Sequence, residues 1–593
     1  MLAEIDPGGS RINVYAQFRD KERVKIIPGA RWDNDESVWY VPLSWAACVQ
    51  LRAVFAAELE VGPALNAWAA NEQATRINPA MALRSAEDAD LPMFGNLYPF
   101  QRAGVGFMAT AQSALNADEM GLGKSVQAIG TLEYLNAYPA LIVCPNSMKF
   151  SWRDEFAKWA PGRKPVIITG TPAKRIKAIE AIAAGEFDVG IINYEALRSH
   201  TRLAGYGNME LSEKEKEEKE LNRVGFVAVV ADEAHKVKDP HSKQTRALWW
   251  IGDRAKHRFA LTGTPVANSP EDIWTLMRFV SPTEYPYKSK FIERYALEVY
   301  NVFGFTQVAG LKSEHTEELF RFFDPRMIRR VKEIVLPQLP EKVYTTRYVT
   351  MTTPAGSKTK QGVAYETMRK EMLAALDSGV LMASSPLTQA VRLTQFASAY
   401  GELVDTGELD EHGQPKTQLV LTDPSCKADA LEEVILEVGD EQVVVFAESK
   451  QLINLCYNRL IKEAGKKDGP MFGWKFGLIT GDVPDYQRAE NVRLFQAGQL
   501  KVLLLTLAAG GEGLTLTAAS TAVFLQRSFN AVQNAQAEDR IHRIGQEAAS
   551  VNIIDVVTVD TIEDRVREVL LTKAEMLEEI ARDKNTIKEW LAK

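Results

Sequence analysis

The chain has 593 residues, of which 46% are hydrophobic and 25% charged. At roughly 100–200 residues per domain this is about three to five domains of ordinary globular composition, and collagen-like, disulfide-dense and wholly disordered chains are excluded. With 70 Lys+Arg against 78 Asp+Glu the formal net charge is −8, so bulk charge gives no support to nucleic-acid binding, although a basic groove can sit inside an acidic chain.

The start, Met1 to Asp6, is acidic and has no basic segment followed by an apolar one. No apolar run approaches about 18 residues, so no membrane span is expected. Cys48, Cys144, Cys426 and Cys456 are far apart and form no C-x-x-C. Reduced thiols and no structural zinc are the expectation, with a cytoplasmic location. In the first ninety residues, Ala30 to Pro42 reads as a hairpin turning at Asp33-Asn34-Asp35-Glu36, with Trp39 and Val41 on its second strand. Ser44 is placed to cap a helix running to Leu59. The polar stretch from Asn78 to Asp90 reads as a linker.

From Leu97 onward, short apolar runs alternate with amphipathic helical stretches. The runs are Ala140–Cys144, Val189–Ile192, Phe226–Val230, Gln442–Phe446 and Val502–Leu505. Near-continuous apolar strands separated by helices predict parallel sheets covered on both faces. They fall into two groups, 91–335 and 380–593, which predicts two α/β lobes. The charge run Glu210 to Glu220 is expected to be a solvated helix or loop. Thr561 to Lys593 has helical apolar spacing and reads as a terminal helix pair.

Three segments carry chemistry. Asp118-Glu119-Met120-Gly121-Leu122-Gly123-Lys124-Ser125 has the make-up of a phosphate-cradling loop. Its glycines allow close backbone approach, Lys124 supplies a point charge, and the Ser125 hydroxyl can reach Mg²⁺. The following helix adds its N-terminal dipole. The strict pattern has Gly where Asp118 stands. About a hundred residues on, the apolar run ending at Ala231 delivers two carboxylates, Asp232 and Glu233, ahead of Ala234-His235. One can hold Mg²⁺ through water and the other can orient or deprotonate an attacking water. On an extended chain they point to opposite sides. Far downstream, Gln536 to Gln546 places Arg540 and Arg543 three apart, a spacing that shares one face of a helix. Two such arginines can stabilise charge on a transferring phosphoryl group.

In this order the motifs resemble those of the helicase superfamily 2 ATPases, and within them the Swi/Snf family, over roughly residues 95–575. Leu97-Tyr98-Pro99-Phe100-Gln101 looks like the adenine-side glutamine motif. Asp118 to Ser125 is similar to motif I, including the acidic start. Ile142-Val143-Cys144-Pro145 with Trp152 resembles motif Ia, Ile192-Asn193-Tyr194-Glu195 motif Ib, and Asp232 to His235 motif II. Leu261 to Asn268 resembles motif III. Met327 to Lys332 and Leu339-Pro340-Glu341-Lys342 resemble the inter-lobe segment. Val444 to Phe446 looks like motif IV, continued by Thr480-Gly481-Asp482, Arg488 and Phe495. Thr506 to Thr517, with Gly513, resembles motif V, and Gln536 to Gln546 motif VI. Where the family carries an acidic residue and then Trp-Asn-Pro, this chain has Gln526 and Phe529-Asn530-Ala531. The amino-terminal segment, Val24 to Asp33 with Trp39, resembles the accessory domain of the annealing-helicase branch.

The resemblance implies an α/β fold of two RecA-like lobes forming a helicase core, with a small α+β accessory domain. The expected domains are 1–90, 91–335 and 336–593. It implies ATP and Mg²⁺ as cofactors, with Lys124, Asp232, Glu233, Arg540 and Arg543 catalytic. Gln101, Gly121, Gly123, Lys124, Ser125 and Gly513 are expected to bind nucleotide, and Ser125 and Asp232 to hold the metal. The expected partner is duplex, forked or otherwise branched DNA, with room for a replication or transcription protein. The implied activity is a DNA translocase that remodels forks or anneals strands. The alternative is an ATPase that displaces or recycles a protein such as RNA polymerase from DNA. In the accessory segment, Lys25, Arg31, Trp32 and Trp39 would offer cation and stacking surfaces, or the two tryptophans simply pack a small core. The economy of domains suits a bacterium or phage, with a nucleoid-associated protein.

Overall fold

The computed structural model describes residues 1–91, 96–203, 210–263, 270–285, 287–300, 306–377, 386–409, 415–510, 514–528 and 530–563. They divide into two compact units, one ending at Pro337 and the other beginning at Gln338. Among the described residues no helix is long and apolar enough to cross a membrane. The four cysteines are free thiols, Cys144 and Cys456 buried and Cys48 and Cys426 half-buried.

The first unit is built on a seven-stranded sheet. Its order is Met327–Ile328, Ala114–Asn116, His257–Leu261, Ala228–Asp232, Ala140–Cys144, Val189–Asn193 and Pro165–Ile167. Every neighbouring pair is parallel. The central strands are buried along their whole length, as expected where helices cover both faces. Sequence placed one of them at Phe226–Val230, and the structure shifts it to Ala228–Asp232. Val227 is taken up outside the ladder, donating to Pro139 O and accepting from His257 N. The strand can run on to a carboxylate because Asp232 finds hydrogen-bond donors there.

A five-stranded sheet at the amino terminus orders Arg31–Asp33, Val38–Pro42, Arg11–Tyr15, Leu2–Ile5 and Glu60–Val61. The expected hairpin is present, and Trp32 pairs with Trp39 across it. Their rings meet edge to face at 5.5 Å. Trp39 packs against the small core, whereas Trp32 is 46% exposed. Ser44 caps the helix as expected, accepting from Ala47 N at 3.2 Å, but that helix ends at Phe55. Ala56 turns left-handed there, with φ 44°, so the chain cannot continue to Leu59 as α-helix.

The expected linker is a helix over its first half. Asn78–Ser85 carries Pro79 in the first turn, where a missing N–H is harmless. Ala80 is fully buried and Leu83 packs on the same core as the main sheet. The amino-terminal domain is therefore fastened to the sheet domain. Ala46 belongs to the main core, and Gln50 Nε2 donates to Tyr295 OH at 3.1 Å. Arg84 donates to Met327 O and pairs with Asp324 at 3.0 Å. The charge run contains a short helix, Glu213–Glu217, whose start is closed by a reciprocal Ser212–Glu215 cap.

The second unit is built on a six-stranded parallel sheet. Its order is Glu341–Val349, Ser550–Thr558, Thr521–Phe524, Val443–Ala447, Val502–Thr506 and Phe476–Ile479. Two cores flank it, one on each face. The expected terminal helix pair lies outside the described residues beyond Glu563. The departure at Gln526 has a local reason. Its Oε1 accepts from Ser449 N at 2.8 Å, and its Nε2 donates at 2.7 Å to Ser398 Oγ, whose own hydrogen goes to Thr394 O. A carboxylate would lose the second bond. Phe529 lies outside the described residues.

One buried ion pair in the first unit sets an acid limit on its stability. Arg326 holds Glu284 through Nε–Oε2 at 2.8 Å and NH2–Oε1 at 3.3 Å. Burial pushes the Glu284 carboxyl up, the Arg326 guanidinium outweighs it, and the net value lies below the ordinary 4.5. A depressed carboxylate stabilises the fold above its unfolded pKa and loses that contribution as pH falls through the folded value. Glu284→Gln is expected to cost about 3 kcal/mol at pH 7, in the range for breaking a buried pair. The gap between wild type and variant should close as pH falls below about 4.5. Thermal unfolding across pH 7 to 3 measures both, and a gap independent of pH would contradict the assignment.

Candidate functional site

The buried strand Ala114–Asn116 runs into the loop before the helix Lys124–Leu135. Gly121 and Gly123 turn this loop with φ of 84° and 76°, a region that only glycine enters without strain. A Cβ on Gly123 would lie 2.4 Å from Gln101 Nε2. Gln101 is buried, accepts from Tyr98 N at 3.1 Å and donates to Leu122 O at 3.2 Å. One end of its amide thus braces the loop, and the other closes the start of its own helix. Lys124 Nζ lies over the loop and donates to Asp118 O at 2.9 Å and Glu119 O at 3.2 Å. Ser125 follows in the helix's first turn, half-buried. A left-handed loop with a lysine over it, at a helix N-terminus, is built to hold an anion.

Asp232 ends the central strand and is 4% exposed. Three segments embrace it. Trp152 Nε1 donates to Oδ2 at 2.8 Å, Glu233 N donates to Oδ1 at 2.9 Å, and Tyr194 OH donates to the Asp232 carbonyl at 2.7 Å. Burial, then the neighbouring Glu233 charge, pushes the Asp232 carboxyl up to about 6, while Trp152 and Lys124 pull it down. The first two predicted motifs follow parallel strands of one sheet, Ala114–Asn116 and Ala228–Asp232, with His257–Leu261 between them.

Glu233 differs from its sequence reading. The chain turns left-handed there, with φ 47° and ψ 48°, so the two carboxylates are not on opposite sides of an extended strand. The strand stops at Asp232 because Glu233 N bonds to the Asp232 side chain instead of continuing the ladder. The result still separates their tasks. The Asp232 carboxylate is held by donors, and the Glu233 carboxylate faces His235 Nδ1 at 3.3 Å. His235 Nδ1 also meets Thr262 Oγ1 at 3.3 Å. Thr262 N donates to Asn116 O, and a Cβ on Gly263 would come 2.7 Å from Met120 Cγ. The start of the third motif thus packs on the first. Thr264 to Asn268 lie outside the described residues.

In the second unit Arg540 and Arg543 do not sit on a helix. The helix Ala531–Glu538 ends before them, and tighter three-residue bonds take over, Arg540 N to Ala537 O and Ile541 N to Glu538 O. The two guanidinium groups still converge, because both NH1 atoms donate to Leu514 O, at 3.4 and 3.3 Å. Gly513, the preceding residue, lies outside the described residues. Gln546 closes the turn by donating to Ala519 O and Ile541 O.

Sequence reasoning missed Asn116 and Gln127, which are fully buried beside the loop. Gln127 Nε2 donates to Asp118 Oδ2 at 3.1 Å, and Asn116 Nδ2 donates to Gln127 Oε1 at 3.1 Å. The available signal was a glutamine among the small and apolar residues of a short stretch, Val126 to Leu132, that is buried throughout. For Mg²⁺ the donor set fits. Each Asp232 oxygen carries one hydrogen bond and keeps a lone pair, and burial raises its pKa, a shift that a cation would reverse. Mg²⁺ keeps most of its waters and takes one or two protein oxygens, which suits Asp232 with the Ser125 hydroxyl.

The chain matches the SNF2-related domain over residues 100–398 and the helicase conserved C-terminal domain over residues 426–545. It is 28% identical over 484 residues to the DNA annealing helicase and endonuclease ZRANB3 of Bos taurus, covering 81% of this chain and 40% of that protein. It is 29% identical over 530 residues to the SWI/SNF-related matrix-associated actin-dependent regulator of chromatin subfamily A-like protein 1 of Xenopus laevis, covering 87% of this chain and 47% of that one. The chain thus spans less than half the length of these curated relatives. Among solved structures, the Sulfolobus solfataricus SWI2/SNF2 ATPase core in complex with dsDNA is similar at 22% identity and a TM-score of 0.35, over 83% of this chain and 95% of that one.

The loop geometry makes Gly123→Ala a sharp test. Left-handed backbone costs an alanine about 1–2 kcal/mol, and its Cβ would displace Gln101. The variant should melt within a few degrees of wild type and bind a fluorescent ATP analogue at least about tenfold more weakly. Unchanged affinity would show that the loop does not cradle the nucleotide.

Proposed function

The chain belongs to the SNF2-related family, and from that premise we propose that it is an ATP-driven motor on DNA. The observation that carries the reading is that Lys124 and the Asp232–Glu233 pair follow parallel strands of one sheet, with a single strand, His257–Leu261, between them. Lys124 and the loop amides bind the β- and γ-phosphates. Ser125 and Asp232 hold Mg²⁺, through water on the Asp232 side, and the cation supplies charge neutralisation at the phosphate oxygens. Trp152 keeps the Asp232 carboxylate fixed for that task. Glu233 accepts the proton of the attacking water, with His235 beside it to fix its direction. Arg540 and Arg543 stabilise the charge that develops on the γ-phosphoryl group. Gln101 acts by bracing the phosphate loop, and Gly513 belongs to the nucleotide-binding set that the family resemblance implies.

A motor of this family grips the phosphate backbone, so its DNA binding carries little sequence code and falls steeply with salt. Exposed Trp32, with Lys25 and Arg31 on the same amino-terminal domain, supports contact with splayed bases at a fork. Fork remodelling or strand annealing is the proposed use of the motor. The domain is fastened to the rest of the first unit by Arg84 and Gln50, so the clean test uses point variants rather than truncation.

ATP turnover measured without DNA, with single strand, duplex and fork distinguishes the readings. Wild type should be stimulated most by the fork, and Lys124→Ala should lose turnover by at least about 100-fold. Trp32→Ala should lower fork-stimulated turnover severalfold more than duplex-stimulated turnover. Equal stimulation by any duplex would remove the fork reading, and no stimulation by any DNA would favour the motor that acts on a DNA-bound protein.

A further inference from the structure

The segment that joins the two predicted lobes is anchored, at one end, to the phosphate loop. Arg330 Nε donates to Asp118 Oδ1 at 3.0 Å, and NH2 reaches Asp118 Oδ2 and, at 2.8 Å, Gln127 Oε1. NH1 reaches Phe100 O in the glutamine motif. Asp118 is fully buried. The backbone is tied as well: Glu119 N donates to Arg330 O at 2.9 Å, and Lys332 N donates to Glu119 Oε2 at 2.7 Å. Arg329 NH1 donates to Ala117 O and Gly263 O, joining the residue just before the first motif to the third motif. Gly104 leaves the space for this cluster, since a Cβ there would lie 1.9 Å from Gln127 Oε1 and 2.6 Å from Arg330 NH2.

The other end is anchored, within the second unit, to the arginine turn. Lys342 Nζ bonds Glu538 Oε2 and Asp539 Oδ1, both at 3.1 Å. Tyr344 OH donates to the same Glu538 oxygen at 2.9 Å. His542 Nε2 donates to Pro340 O at 2.8 Å. Glu538, Asp539 and His542 bracket Arg540 in sequence, so Lys342 and Pro340 hold the turn that carries it. Burial works against the Lys342 charge, but Asp539 and Glu538 outweigh it and keep the ammonium well above its ordinary pKa. Residues 333–339 are all that separate the two sets of ties.

We propose that Arg330 and Lys342 are positioning residues at the two ends of one strap, Arg330 setting the phosphate loop for nucleotide binding and Lys342 setting the arginine turn for turnover. Neither touches nucleotide. The inference rests on the ATPase reading above, and it predicts a split that mere structural support would not give. A loop set wrongly weakens nucleotide binding, whereas an arginine set wrongly spares binding and slows the step in which charge develops.

Arg330→Gln and Lys342→Met remove the charges and keep much of the volume. Both are compared with wild type by melting temperature, by titration with a fluorescent ATP analogue, and by steady-state turnover on saturating duplex DNA. Arg330→Gln should raise Kd and KM at least about tenfold. Lys342→Met should leave Kd within about twofold and lower kcat at least about tenfold. Lys342→Arg, which keeps the cation, should recover most of kcat. If Arg330→Gln does not fold, Arg330→Lys keeps the charge but cannot reach Asp118, Gln127 and Phe100 O together, and should show the same rise in Kd in milder form. Folded variants with wild-type Kd and kcat, or equal losses of both in each variant, would overturn the strap. A wild type with no ATP turnover above Lys124→Ala would instead overturn the ATPase reading on which it rests.

Discussion

A carboxylate with no solvent exposure must be paired, and Asp118 shows how far that requirement reaches. Removing one partner of a buried pair typically costs about 3–5 kcal/mol, so whatever neutralises Asp118 is fixed to it. The partner is Arg330, which stands 212 positions later. Because Asp118 opens the phosphate loop, the pair ties that loop to the last strand of its sheet, Met327–Ile328, and to the chain that leaves it. Asn116 and Gln127 are buried amides whose geometry is dictated by the same pair. Gly104 is small for the same reason. A glycine at position 118 would make a more regular phosphate loop and would leave Arg330 an uncompensated cation.

Asp232 answers the same constraint differently. No cation is fixed to it by a salt bridge among the described residues. Its oxygens are held by an indole and a backbone amide, and the Lys124 charge acts from a distance. Neutral donors orient a carboxylate without satisfying its charge, and burial then pushes its pKa up. Such a group has capacity left for a cation. The two aspartates of one parallel sheet thus differ in the charge of what surrounds them, Asp118 held by a cation and Asp232 by neutral donors, in keeping with the metal-binding role proposed for Asp232.

Much of this was legible in sequence, for physical reasons that also mark the limit. Ala140–Cys144 and Val189–Asn193 are buried on both faces, so burial wrote a continuous apolar run. Glu341–Val349 left no such run, because it is an edge strand with about half of its residues exposed. The order of the motifs pointed to the candidate site, since backbone chemistry at strand ends demands particular side chains there. The contacts that tune it were not legible. Trp152 reaches Asp232 across 80 positions, and Arg330 reaches Asp118 from farther still. Local periodicity could not tell that Glu233 turns left-handed, or that Arg540 and Arg543 converge through one carbonyl instead of a helix face. Those outcomes depend on which hydrogen-bond partner wins, and the partners are distant.

The same logic explains why Asn78 to Asp90 reads as a linker although its first half is a helix. Asn78 to Asp90 is polar, and polarity without period reads as loop. Yet the polar residues are the fasteners. Arg84 binds Met327 O and Asp324, and Arg76 lies 3.8 Å from Glu284, the carboxylate that Arg326 clamps. The Arg84 ties fall on residues 324 and 327, immediately before the arginines that hold the phosphate loop. Leu83 lies under Gly106 in the helix that begins with the glutamine motif, where a Cβ would come within 3.2 Å of it. The amino-terminal domain therefore bears on the nucleotide loop from two directions, through the helix that carries Gln101 and through the strand that leads to Arg330.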